Sequence, residues 1–215
     1  MIDEVSYLVI RIGIISAVLP LLMLLYVLKE AHRPSWWVLF FVVIVWFLAE
    51  ALNWIFSVYG INNLIIFHLY ELLSVVTYAW LYYSIVDYKW FKKSAIIAVV
   101  LFEIVAISYL SVNQLWFEAN KLVTFLSILI PMAFSLYYFA YTIGRATVRK
   151  LSDSPYYWVN CAVLINFGMV FFTRMFESTI IQSEELMTYL WPIVSLSNII
   201  YNVLFSRGVW SLKRT

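Results

Sequence analysis

His68 and Glu71 stand three residues apart inside an apolar run, 64–86, that has the length of a bilayer-crossing helix. That spacing puts both on one helical face, and Ser74, Tyr78 and Tyr82 continue the face. An imidazole beside a carboxylate can exchange a proton, hold a small polar ligand or pair as ions. Each use requires shelter, because an ionisable group at membrane depth is costly against hydrocarbon. Other polar residues fall at comparable depth in other apolar runs. Glu50 and Asn53 share a stripe, Arg11 lies in the first run, Arg174 and Glu177 end the sixth, and Ser195, Asn198 and Asn202 form a stripe on the last. The expected arrangement is a polar pocket made by His68, Glu71, Glu50, Asn53, Arg11, Arg174, Tyr78 and Asn198, with the two arginines pairing with Glu50 and Glu71. A structural alternative uses the same residues as ion pairs and hydrogen bonds that hold helices together.

Most other chemistry is unsupported. The chain has two histidines, and His32 falls in a loop, which leaves His68 with carboxylates alone. Zinc sites usually take more nitrogen or sulfur ligands, so no metal is expected. There is no Gly-x-Ser-x-Gly elbow, phosphate-cradling glycine loop or His-Glu-x-x-His helix, and no catalytic set is assigned. Every lysine falls in a loop, in a terminus or, as Lys121 does, at the very edge of an apolar run, which argues against a retinal Schiff base, and no cofactor is expected. Cys161 is the single cysteine, so an intrachain disulfide is excluded. Nucleic acid is not an expected partner.

The elements that position these residues follow from composition. In 215 residues, 65% are apolar, 20% aromatic and 12% charged, against about 25% charged in soluble domains. Lipid must solvate most of such a chain. Seven apolar segments, about 5–28, 37–59, 64–86, 94–112, 121–143, 157–177 and 189–208, are each long enough to span. The expected fold is all-α: one domain, 1–215, made of seven transmembrane helices. If all seven cross, eleven loop lysines and arginines fall on one side and Lys121 alone on the other, with Asp3, Glu4, Glu118, Glu184 and Glu185. The positive-inside rule then places the N-terminus outside and the C-terminus in the cytoplasm. The acidic start of the chain lacks the basic region of a signal peptide, so the first span is expected to be retained. Aromatic residues such as Trp36, Trp37, Tyr88, Trp90, Trp116 and Trp158 cluster at span ends, as interface anchors do. The basic, aromatic loop Asp87–Lys93 suits anionic headgroups or a cytoplasmic or membrane partner protein.

Two patterns recur. Pro34-Ser-Trp-Trp-Val38 matches Pro155-Tyr-Tyr-Trp-Val159, and Ser74-x3-Tyr78-x2-Leu81-Tyr82 matches Ser197-x3-Tyr201-x2-Leu204-Phe205. With Pro20 and Pro131 they suggest a parallel three-one-three repeat, spans one to three recurring as five to seven around a linking fourth. That plan resembles SWEET-type sugar carriers. The run Phe67-His68-x-Tyr70 to Leu81-Tyr82-Tyr83, with Pro155-Tyr-Tyr-Trp158 and Trp191 to Asn202, resembles small seven-span proteins of Bacteroidota, which are similar to the seven-helix sensory modules of bacterial receptors. The resemblance implies a multi-pass protein of a bacterial inner membrane. The function expected is a non-enzymatic sensor that binds a small extracellular or periplasmic ligand and signals through a partner. The alternatives are a small-solute transporter, an intramembrane lipid enzyme and a structural subunit.

Overall fold

The computed structural model describes residues 4–27, 34–145, 151–176 and 184–214, with no strand among the described residues. The helices are α1 (Glu4–Ser16), α2 (Val18–Val27), α3 (Pro34–Val58), α4 (Leu64–Ile85), α5 (Lys89–Val112), α6 (Lys121–Arg145), α7 (Pro155–Met175) and α8 (Glu184–Ser211). Six stretches are long and apolar enough to cross a membrane: Glu4–Val27, Trp36–Val58, Leu64–Ile85, Lys89–Val112, Lys121–Arg145 and Pro155–Met175. In lipid a spanning segment must satisfy its own backbone, which a helix does. The chain is therefore a multi-pass, all-α membrane protein. The seventh expected span corresponds to α8, which at 28 residues is long enough but falls outside the six. Ser195, Ser197, Asn198, Asn202 and Ser206 make it more polar than the others.

The first span is broken into α1 and α2 at Ala17. Pro20 accounts for the break, since it has no N–H for the Ser16 carbonyl and its ring crowds that carbonyl. The turn closes instead through Ala17 N–H to Ile14 O (3.2 Å), and the Ser16 hydroxyl donates to Gly13 O (2.6 Å). Pro34 and Pro155 open α3 and α7, where a missing N–H costs nothing. Asn120 caps α6, its Oδ1 accepting from Leu122 and Val123 N–H at 3.0 and 3.1 Å. The expected loop Asp87–Lys93 is mostly helix, because α5 starts at Lys89. Three lysines in its first turn oppose the helix dipole. Their presence there must serve something other than helix stability.

The chain divides into two compact units, residues 1–30 with 146–215 and residues 31–145. In the second, α3, α5 and α6 all pack on α4. Ten residues of α4 are buried, among them His68, Glu71, Ser74, Tyr78 and Tyr82. Leu72 and Val75 join Phe102, Ala106 and Leu110 of α5 and Val123 of α6 in a core covered by Leu115 and Trp116. Toward Asp87 the packing is aromatic, with Phe91 stacked on Tyr137 at 4.5 Å and edge-on to Phe134 at 5.5 Å.

In the first unit α1, α2 and α7 pack on α8. Small residues allow close approach there. A Cβ on Gly208 would stand 2.6 Å from Val159 Cγ2 and 2.8 Å from the Pro155 carbonyl, and one on Gly13 would stand 3.0 Å from Ser195 Cβ. Polar side chains of the unit bond to one another and to the backbone. Asn166 donates to Asn198 Oδ1 (2.9 Å), Asn202 donates to the Ser16 hydroxyl (2.8 Å), and Ser206 donates to Asn202 O (2.6 Å).

Candidate functional site

α4 sets the geometry of the acidic site. His68 and Glu71 are buried, at 2% and 8% exposure, although one is basic and the other acidic. Their i,i+3 spacing brings His68 Nδ1 to 2.9 Å from Glu71 Oε2. The other ring nitrogen, Nε2, lies 2.9 Å from the main-chain carbonyl of Glu118, in the segment between α5 and α6. A carbonyl only accepts, so Nε2 carries a proton. One further proton then lies between Nδ1 and Oε2. Whichever atom holds it, the pair is neutral overall, as imidazolium with carboxylate or as imidazole with carboxylic acid. Neutrality accounts for a buried acid and base in one spanning helix. Loss of that proton would set a lone pair against a carboxylate, and the contact would not persist.

The segment 113–120 is tied a second time: Asn62, in the turn before α4, donates to Phe117 O at 3.0 Å and accepts from Leu64 N–H at 2.9 Å. Gln114, with φ of 54°, turns the chain into this segment. The turn before α4 carries Gly60 at φ 64°, a value that suits glycine. So the Leu64 end of α4 is clasped by two connecting segments, one of them through the His68 imidazole.

Further along, Tyr70 has Tyr78, Glu50 and Glu71 within electrostatic range and packs edge-on to Trp46 at 5.6 Å. Trp46, Glu50 and Asn53 share a stripe of α3, so this stripe is the acidic site's second wall. Glu50 and Asn53 are half-buried and Tyr78 is 2% exposed. The hydroxyls of Ser74 and Thr77 donate to Glu71 O and Ser74 O within α4, at 2.9 and 3.1 Å. Asn53 Oδ1 and Asn120 Nδ2 are buried and have no hydrogen-bond partner among the described residues. An acceptor and a donor left open near this end of the unit are unusual in a folded interior.

His68, Glu71, Glu50, Asn53 and Tyr78 thus belong to one unit. Arg11, Arg174 and Asn198 belong to the other. The Arg11 guanidinium donates to the Tyr7 hydroxyl and lies 4.3 Å from that ring's centre, one turn away on α1. An arginine facing an i−4 tyrosine satisfies itself within its own helix. Arg174 is exposed near the end of α7. Asn198 accepts from Asn166, as described above. Glu177 lies outside the described residues.

Several contributors were not singled out from sequence. The Glu118 carbonyl has no side-chain signature. Asn166 and Ser16 bond to Asn198 and Asn202, and a buried asparagine inside an apolar run was the available signal. Among the described residues, no three His, Cys, Asp or Glu side chains gather as metal ligands would. No family model, curated protein or solved structure matches the chain.

Proposed function

We propose that this chain is a receptor-like membrane protein of seven spans, N-terminus outside, that reads its outer face and signals through a partner. The observation that carries the reading is the His68 bridge from Glu71 to the Glu118 carbonyl, at 2.9 Å on each side. It fastens a connecting segment to α4, the helix on which α3, α5 and α6 all pack. A ligand or proton change that opens the bridge frees the segment at one end of α4. The aromatic packing and the lysines of Asp87–Lys93 lie at the other end, in the cytoplasm by the positive-inside rule, where a partner would read the change. Glu50, Asn53, Tyr70 and Tyr78 line the binding side, and the open Asn53 Oδ1 and Asn120 Nδ2 supply an acceptor and a donor for a small polar ligand. The resemblance to bacterial seven-helix sensory modules and an inner-membrane location fit this reading.

The three-one-three repeat belongs with it. The Ser-x3-Tyr-x2-Leu-aromatic pattern falls on α4 and on α8, each the helix that the rest of its unit packs on. In this scheme the first and fifth spans are exchanged: α6 packs on α4, and α1 and α2 pack on α8.

Amide hydrogen exchange in nanodiscs tests the sensor reading. His68→Asn should raise exchange in 113–120 and also alter it in 82–93, at the far end of α4. A change confined to 113–120 would reduce the bridge to a structural tie. The carrier alternative predicts solute flux in proteoliposomes that Glu71→Gln abolishes, and the sensor reading predicts none.

A further inference from the structure

Between α4 and α5 runs an open apolar groove of about 290 Å³. Its floor is Ala79 and Ala95, at 5% and 1% exposure, and its walls include Val76, Tyr83, Val99 and Val100. Two alanines facing each other leave the gap; larger residues there would close the helices on themselves. Val76, Tyr83 and Val100 remain 39 to 50% exposed. From Val76 to Tyr83 the groove follows α4 for about 10 Å at 1.5 Å per residue.

One end of the groove is charged. Lys92 holds its ammonium 5.3 Å from the centre of the Tyr83 ring, which is part of the wall. It pairs with Asp87 at 3.4 Å, a carboxylate whose side chain is 93% exposed. Such a pair is weakly held and open to exchange. Lys89 and Lys93 are exposed in the same first turn of α5. An apolar furrow within the spanning part, ending under a cluster of ammonium groups, has the chemistry of a lipid with an apolar chain and an anionic head.

We propose that this groove retains an anionic phospholipid. One acyl chain lies along Ala79 and Ala95, and the phosphate sits at Lys92 with Lys89 and Lys93 beside it, displacing Asp87 from Lys92. The site goes beyond general solvation by the bilayer, because it selects a headgroup and a place. It stands apart from the His68 site and does not depend on the sensor reading.

The test uses the full chain in mild detergent, with thermal unfolding followed as phosphatidylglycerol or phosphatidylcholine of matched chains is added. Phosphatidylglycerol should raise the Tm of the wild type at concentrations at least several-fold below those that phosphatidylcholine requires. Lys89→Gln, Lys92→Gln and Lys93→Gln together should abolish that preference while leaving the response to phosphatidylcholine. Val100→Trp should fill the groove and weaken the response to both lipids. Leu101→Trp, on an exposed neighbour outside the lining, should respond as the wild type does. Equal responses to the two lipids in the wild type, or an undiminished preference in the triple variant, would overturn the assigned headgroup site. An unchanged response in Val100→Trp would overturn the groove.

Discussion

Replacing His68 in two ways separates its two contacts. The amide nitrogen of Asn falls where Nδ1 lies, and that of Gln falls where Nε2 lies. His68→Asn therefore keeps a donor toward Glu71 and gives up the Glu118 carbonyl, whereas His68→Gln does the reverse. The Glu71 contact lies within one helix, and a spanning helix persists when the bundle comes apart, so that contact forms in both states. The Glu118 contact exists only in the folded unit. Hydrogen bonds in membrane proteins average about 0.6 kcal/mol, and typical ones in proteins reach about 1.5 kcal/mol. Losing this one should raise the opening constant of 113–120 by about 3- to 12-fold. Full release is not expected, because Asn62 still holds Phe117 O at 3.0 Å and Leu115 and Trp116 still pack on the Leu72–Val75 core. Hydrogen exchange in nanodiscs, followed peptide by peptide, gives the comparison. Protection of 113–120 should fall by that factor in His68→Asn and stay near wild type in His68→Gln. Equal loss in both variants, or loss in the glutamine variant alone, would refute the assignment of Nε2 to the carbonyl and with it the proton count at the pair.

Three further outcomes follow from packing and backbone. Gly208→Ala should destabilise the unit built on α8 by about 1–3 kcal/mol, since its Cβ would meet a backbone oxygen at 2.8 Å; Gly13→Ala should cost less, and Gly144→Ala, with nothing within 4 Å, should cost nothing. Thermal unfolding of the three in one detergent gives the order, and equal effects would contradict it. A double-mutant cycle on Asn202→Leu and Ser16→Ala should return a coupling of about 0.6 kcal/mol, with about 1.7 as the ceiling, for the 2.8 Å bond joining α8 to α1. Gln114→Gly relieves a left-handed backbone worth about 1–2 kcal/mol at φ 54°, partly offset by added chain entropy, so protection of 113–120 should hold or rise; a fall would show that the Gln114 side chain matters.

Hydropathy made the spanning helices legible because lipid imposes one rule on every residue of a span, and Pro34 and Pro155 marked two starts by removing a donor where none is needed. The His68–Glu71 contact was legible for a similar reason: spacing inside one helix fixes which side chains meet. What spacing cannot show is a partner that has no side chain, such as the Glu118 carbonyl 50 positions away. The same rule of spacing sets the Arg11 contact, which goes to a tyrosine one turn back on α1. Lys89–Lys93 read as loop because lysines seldom start a helix, and the fold tolerates them there against the dipole.

The contrast between the two units argues for where function resides. Both are built on an axial helix with the same serine and aromatic pattern, α4 in one and α8 in the other. On α8 the polar positions are serines and asparagines, and they bond to neutral groups of the same unit, Asn166 to Asn198 and Asn202 to Ser16. Such bonds are what packing alone requires, since neutral amides join helices in lipid without placing charge there. α4 instead holds an imidazole and a carboxylate that are tolerable only while one proton stays between them and a connecting segment stays in place. An amide pair would have fastened α4 equally well and at lower risk. The choice of titratable groups, where a buried side chain of the axial helix is hydrogen-bonded to a connecting segment, makes the contact conditional, and a conditional contact is what a receptor needs. If Glu71→Gln with His68→Gln, an amide pair in the same positions, left both the protection of 113–120 and its coupling to 82–93 as in the wild type, the ionisable pair would have no role beyond adhesion and this argument would fail.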